Sequence, residues 1–455
     1  MLRFLGSPHR FCDGATRRDF LQIGAFGAGV TLADMLHARS ASAAAGKKQA
    51  SRSNKAAIMI YLPGGPSHID MYDPKPEAPV EFRGEFNPIK TNVAGVEICE
   101  HFPLQAKMWD KLACVRSVVS VDEHSDSLVM SGYPARVNRT ADHPCFGSVV
   151  SKVRAESNGA VPPFVSLRGM SRGTEPGYLG IAHRPFTPGG QGNANLRLAQ
   201  GVTAGRLDDR KGLLTGFDDT RREIDASGTM VGMDSYTEKA IEMVTAGVVR
   251  DALDIRKEDP KTQERYKGVE QFLTARRLVE AGVGCVTLSI GGWDTHGQNF
   301  QTLKKQLPKV DQGIANLIQD LHDHGMADDV VTVMWGEFGR TPKVNMNAGR
   351  DHWSPVMGAM IAGGGLKMGQ AIGASTAKGE RPKDRPITVP QLLGTIYRQL
   401  GIDPGMTYNY PPAAPLNCCG PAGPIASESK HAHGRPSLCR RPFRVPRALL
   451  RRLRE

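Results

Sequence analysis

The sequence predicts an α/β protein with a mostly parallel central sheet and helices on both faces. Three observations predict it. Apolar runs of strand length recur along the chain, amphipathic helical patterns stand among them, and the runs break into Gly-, Pro- and charge-rich segments. With 455 residues the chain can bury a large core, and 40% apolar with 23% charged residues is an ordinary globular balance.

The first run, Ala56–Leu62, reads as a central strand and breaks into Pro63-Gly64-Gly65-Pro66-Ser67-His68-Ile69-Asp70. Leu112–Val119 reads as a second strand, followed by Asp122-Glu123-His124-Ser125-Asp126. Residues 155–265 are rich in Gly, Arg and Asp with weak periodicity, and read as excursions and helices capping the core. Gln263–Ala281 is a helical pattern that feeds the apolar run Val283–Ile290, which exits through Gly291-Gly292-Trp293-Asp294-Thr295-His296. Leu303, Leu307, Val310, Ile314, Leu317 and Leu321 then recur at three- and four-residue spacing, the mark of an amphipathic helix ending near His324-Gly325. Val330–Trp335 is another buried strand, ending in Gly336-Glu337-Phe338-Gly339-Arg340, and Val356–Ala362 is a further run.

The net charge of +12 raises the question of nucleic acid. Residues 427–455 carry nine Lys/Arg against Glu428 and Glu455, a net of +7, which leaves +5 on the remainder. The basicity is mainly terminal, so a nucleic-acid partner is not expected. The eight cysteines show no CxxC and no metal-knuckle spacing, and Cys285 reads as a buried hydrophobe. No window beyond the N-terminus reaches membrane-spanning length, so an integral membrane protein is not expected.

In a parallel sheet the functional crevice lies beyond the carboxyl ends of the strands. Asp70, His124, Asp294, His296 and Glu337 fall at such ends, and Gly349-Arg350-Asp351-His352-Trp353 adds a fifth polar cluster. Each alone reads as a turn, a cap or a satisfied polar group. Together they offer the mixed imidazole and carboxylate donors that a divalent cation needs from separate loops. His68 reads as a loop histidine or as part of that site, and Trp293 and Trp353 as core or as pocket walls. His322 and His324, at a helix end, read as solvated.

Two resemblances sharpen this. Thr16-Arg17-Arg18-Asp19-Phe20-Leu21, a weakly apolar stretch to Leu36 and the small residues Ala38–Ala45 resemble a twin-arginine signal peptide. This implies a signal over 1–45, a linker over 46–54, a domain over 55–415 and a basic tail over 416–455. It also implies a twin-arginine translocase as export partner and a periplasmic or extracellular location. The motifs GGPSHIDMYDPKP (64–76), DHPCFGSVVS (142–151), GGWDTHGQNF (291–300), GEFGRTPKVN (336–345), GRDHW (349–353), AGGGLKMGQAIGAS (362–375) and DRPITVPQLLGTIYRQLGID (384–403) resemble the DUF1501 family. That family is similar in turn to the alkaline-phosphatase-like superfamily of phosphatases and sulfatases.

The resemblance implies an alkaline-phosphatase-like three-layer fold with one or two divalent metals, zinc or calcium, at the carboxyl edge. Its first metal carboxylate matches Asp70, with Asp73 as the alternative. The nucleophile region matches His124–Ser127, with Ser125 as the candidate. Asp294 and His296 match the middle ligand pair, Glu337 a strand-end ligand, and His352 with Asp351 the last one. Arg340 is placed to clamp an oxygen of the substrate or to brace its loop. The sequence departs from relatives where Glu337-Phe338-Gly339 replaces Asp-His-Gly, and no cysteine stands in a sulfatase maturation context. The expected function is an exported, metal-dependent hydrolase of phosphate or sulfate esters, small or polysaccharide-borne. The alternative is a non-catalytic binding or assembly protein of the cell envelope on the same fold.

Overall fold

A computed structural model of the chain describes residues 55–154, 161–169, 175–189, 247–408 and 416–417. The compact unit that contains them begins at Asn54. The signal-like segment, the linker and nearly all of the basic tail lie outside the described residues.

The predicted α/β architecture with a mostly parallel sheet is what the chain forms. Eight strands make the central sheet: β1 (Ala56–Tyr61), β2 (Leu112–Val119), β3 (Phe164–Ser166), β4 (Cys285–Ser289), β5 (Val330–Trp335), β6 (Met357–Gly363), β7 (Gln370–Ile372) and β8 (Ile387–Thr388). Their order is β7-β2-β6-β5-β1-β4-β3, with β8 also paired to β2. β1 lies parallel to β4 and β5, with Tyr61 opposite both Ser289 and Trp335, so these three strands exit level with one another. β6 is antiparallel to both its neighbours, β2 and β5.

That reversal matters for function. Because β6 returns beside β5, the connection over residues 336–356 lies wholly at the carboxyl edge of β5. It joins there the exits of β1, β2 and β4.

Alternate residues of each strand face opposite sides, as the two-residue period requires. Ile58 and Ile60 of β1, with Val286, Leu288 and Met334, form one core against helices α3 (Glu270–Glu280) and α4 (Asn299–Asp323). Ala57 and Met59, with Val331, Val333 and Ile361, form the other against α1 (Ser127–Ser131), α2 (Phe146–Arg154) and α5 (Val389–Gln399). Helices therefore cover both faces, giving three layers. Among the described residues no helix is long and apolar enough to cross a membrane.

The helix expected over Gln263–Ala281 is in fact two pieces, Pro260–Arg265 and α3. Gly268 adopts φ +82°, a left-handed conformation that ends one helix before the next begins. His324 is not merely solvated, because its ring bonds Glu280 across the α3–α4 seam.

The α4 stripe buries Leu303, Leu307, Val310, Ile314, Leu317 and Leu321 as its spacing predicts. Within it, a Cβ on Gly313 would lie 2.3 Å from the ring of buried Phe272. Alanine gains about 1 kcal/mol in helix propensity, but overpacking a rigid aromatic contact costs about 1–3 kcal/mol. Gly313→Ala is therefore expected to lower the urea midpoint, and Leu317→Ala to lower it further, with a stability loss of about 2–5 kcal/mol. A rise in midpoint for Gly313→Ala would show that the α3–α4 contact is loose.

Candidate metal centre

Four strand exits meet at one point. After β1 the chain turns through Gly64 at φ +102°, where a Cβ would lie 2.5 Å from the backbone nitrogen of Asp294. Only glycine allows the two backbones so close. Arg340, fully buried, spans the junction: Nε donates to the Gly65 carbonyl at 2.9 Å, Nη1 to the Arg350 carbonyl at 2.9 Å, and Nη2 to the Gly64 carbonyl and to Asp294 Oδ1 at 2.5 Å.

Around Asp294 three histidines gather. Its Oδ1 lies 2.9 Å from His352 Nε2 and 3.1 Å from His296 Nε2, and its Oδ2 lies 3.8 Å from His124 Nε2. The two nitrogens His296 Nε2 and His352 Nε2 are 3.1 Å apart. Ligand atoms of His124, Asp294 and His352 all lie within 4.8 Å of one another.

The far nitrogens decide what this set can hold. His296 Nδ1 is 2.7 Å from Asp351 Oδ1, and His124 Nδ1 is 3.1 Å from Glu337 Oε1. An ionised carboxylate only accepts, so in a neutral ring each of these Nδ1 atoms carries the proton and its Nε2 offers a bare lone pair. A bare His296 Nε2 at 3.1 Å from a carboxylate oxygen sets two acceptors against each other, an arrangement that fits a cation shared between them. Burial opposes ionisation of Asp294, but hydrogen bonds from Arg340 and His352 outweigh it and hold the carboxyl well below its usual range. The hydrogen bond from His296, aided by Asn345, likewise holds Asp351 low. The residues fit a divalent ion held by His124, Asp294 and His352, with His296 Nε2 beside the same Asp294 oxygen.

Several expected roles shift. Asp70 does not join the cluster: Arg350 grips its carboxylate bidentately at 2.8 and 2.9 Å and Asn299 donates to it at 2.9 Å, all in full burial. Both of its oxygens are thus taken within the protein. Asp73, the alternative, is likewise taken, by Ser375, Lys75 and Arg116. Glu337 and Asp351 stand behind histidines rather than in the donor set. Arg340 has four N–H groups engaged inside the protein, the arrangement of a loop brace that also orients Asp294. Ser125 Oγ accepts from the Ser127 amide at 3.2 Å and has no hydrogen bond to the cluster.

His68 is buried, with Nε2 2.8 Å from the Gly379 carbonyl, and burial pushes its pKa down. Trp293 is core, its Nε1 bonded to the Ile290 carbonyl at 2.8 Å. Trp353 bonds the Glu380 carbonyl at 2.8 Å. His124, which the family resemblance places in a nucleophile region, stands with the donors, as its position after a strand allows. Arg350, Asn299 and Tyr61 carried no comparable signal in the sequence.

Fold and site together define an α/β protein with a histidine-rich, carboxylate-supported centre at the carboxyl edge of its sheet. The chain belongs to the DUF1501 family: residues 54–425 match the model described as "Protein of unknown function (DUF1501)". No curated protein matches it significantly. Similar solved structures include the PsFucS1 sulfatase from Pseudoalteromonas sp., at 12% identity, TM-score 0.36, covering 80% of this chain and 70% of that one. Others are the lipoteichoic acid synthase LtaP from Listeria monocytogenes (10%, 0.31, 78% and 74%) and the phosphonate monoester hydrolase SpPMH from Silicibacter pomeroyi (10%, 0.30, 76% and 73%).

The structural role of Asp70 is testable. Breaking a buried ion pair by removing one member costs about 3–5 kcal/mol. Asp70→Asn is expected to lose stability on that scale in denaturant melts while the folded variant keeps its full metal content. Loss of metal at unchanged stability would return Asp70 to the ligand set.

Proposed function

We propose that this chain is an exported, metal-dependent hydrolase, with phosphate or sulfate esters as the substrate class that its sequence resemblance implies. The observation that carries the reading is the convergence of His124, Asp294 and His352, with His296 against the same carboxylate, at an open sheet edge. A divalent ion held there would supply a Lewis acid that polarises an ester oxygen and lowers the pKa of water. Three imidazoles favour zinc over calcium, which prefers oxygen donors.

The chain's own residues support hydrolysis in two ways. The side chains of His124, Asp294 and His296 are about half exposed (52%, 48% and 48%), so a substrate can reach them, while Arg340 and Glu337 behind them are fully buried and hold them in place. Ser127, in the expected nucleophile region, has its hydroxyl engaged: Oγ donates to the Tyr133 carbonyl at 2.9 Å, and beyond the region Ser131 Oγ donates to the Ser127 carbonyl at 2.6 Å. Together with the placing of Ser125, this favours water over a serine hydroxyl as the attacking group. The twin-arginine-like start supports action in the periplasm or outside the cell.

Metal analysis of the purified mature protein, paired with aryl phosphate and sulfate esters, tests the reading. Wild type is expected to hold one ion per chain and turn over an ester, and Asp294→Ala, His296→Ala and His352→Ala to lose both. Chelation followed by zinc should restore turnover. If wild type and Asp294→Ala hold equally little metal and neither cleaves any ester, the hydrolase reading fails. Tight metal without turnover would favour the binding-protein alternative.

A further inference from the structure

We infer that Glu337 is a positioning residue, which fixes His124 in the tautomer whose bare Nε2 faces Asp294 and His352, and is not itself a donor to the ion. Its consequence for ion affinity rests on the metal-centre reading above; the tautomer does not.

The argument is one of hydrogen-bond capacity. Glu337 is fully buried just after β5, and each of its oxygens is occupied. Oε1 accepts the Gly64 amide at 2.9 Å and Oε2 accepts the Tyr61 hydroxyl at 3.0 Å. Burial, then the adjacent Glu337 charge, push the Tyr61 hydroxyl far above its ordinary pKa, so it stays a donor. The Ser120 hydroxyl donates to the backbone carbonyl of Glu337 and so ties the exit of β2 to this point. What remains at Oε1 is acceptor capacity, 3.1 Å from His124 Nδ1. An acceptor-only group on Nδ1 leaves Nε2 unprotonated and turned outward. The ring is held from the side as well, edge-on to buried Phe338 at 5.5 Å and to His352 at 5.0 Å between centroids.

The same geometry predicts how substitutions behave. The Gly64 amide can only donate, so a glutamine at 337 must place its oxygen on the Oε1 side. Its NH2 then meets Tyr61, whose hydroxyl can accept. Glu337→Gln should therefore keep an acceptor on His124 Nδ1 and lose only charge. Glu337→Leu removes the acceptor altogether.

Long-range ¹H–¹⁵N spectra of the metal-free protein at about pH 8, above the ordinary histidine range, read the tautomer directly. Wild type and Glu337→Gln are expected to show His124 protonated on Nδ1, and Glu337→Leu to lose that bias. In zinc titrations, Glu337→Leu should bind about 10–100-fold more weakly, and Glu337→Gln should recover most of the loss. A wild-type His124 protonated on Nε2, or a folded Glu337→Leu that binds zinc as tightly as wild type, overturns the inference. If Glu337→Leu does not fold, the wild-type tautomer still decides. An Nδ1-protonated His124 in a protein that binds no zinc upholds the positioning role and sinks the metal-centre reading instead.

Discussion

The Arg340 guanidinium is the constraint on which the rest of this edge depends. It is wholly buried, and it bonds at once to the turn after β1, to the chain before Asp351 and to Asp294. An uncompensated buried cation costs several kcal/mol, so these segments cannot separate independently. One side chain thereby makes the close Gly64–Asp294 approach obligatory and carries positive charge to the back of the cluster. The Asp294 carboxylate remains an anion, and so a donor to cations, because that charge faces it.

A second arginine extends the frame. Arg350 grips Asp70, and its guanidinium also donates to the Thr341, Pro342 and Phe82 carbonyls. Arg340 in turn takes the Arg350 carbonyl. The loop that carries Asp351 and His352 is thus fastened at both ends by arginines whose charge is used within the protein. Neither arginine is left to meet an anionic substrate. In the proposed hydrolase, recognition of the anion falls to the ion and to the exposed rim.

How much of this was legible in the sequence depends on which physical signal was present. β1, β2, β5 and the α4 stripe follow their apolar patterns closely, because burial on one or both faces leaves a period in the sequence. The reversal of β6 left none: an apolar run reads the same in either direction, and only pairing with β2 and β5 fixes it. Likewise the Gln263–Ala281 periodicity passes through Gly268, whose left-handed conformation belongs to the packed structure. At the site, Asp294 and His296 were legible as polar residues beyond a strand, where an apolar core gives them nothing to do, and His352 through the family resemblance. The carboxylates were not separable. Asp70, Glu337 and Asp351 are chemically equivalent as letters, and what distinguishes them is whether Arg350, Tyr61 with Gly64, or His296 already occupies their oxygens.

Rigidity across the centre is correspondingly graded. Glu337, Arg340 and the Asp70–Arg350 pair are buried and saturated with hydrogen bonds, whereas Asp351, behind His296, is about half exposed (53%). His124 is therefore held by a fixed acceptor and His296 by one in contact with solvent. Ordering of the buried side is complete once the chain folds, so a ligand arriving at the centre meets donors already aimed. Among the described residues, Glu337, Arg340 and Phe338 close the back, and His124, Asp294 and His296 are exposed on the other side. The direction of access is thus set, among the described residues, by where the sheet's carboxyl edge opens.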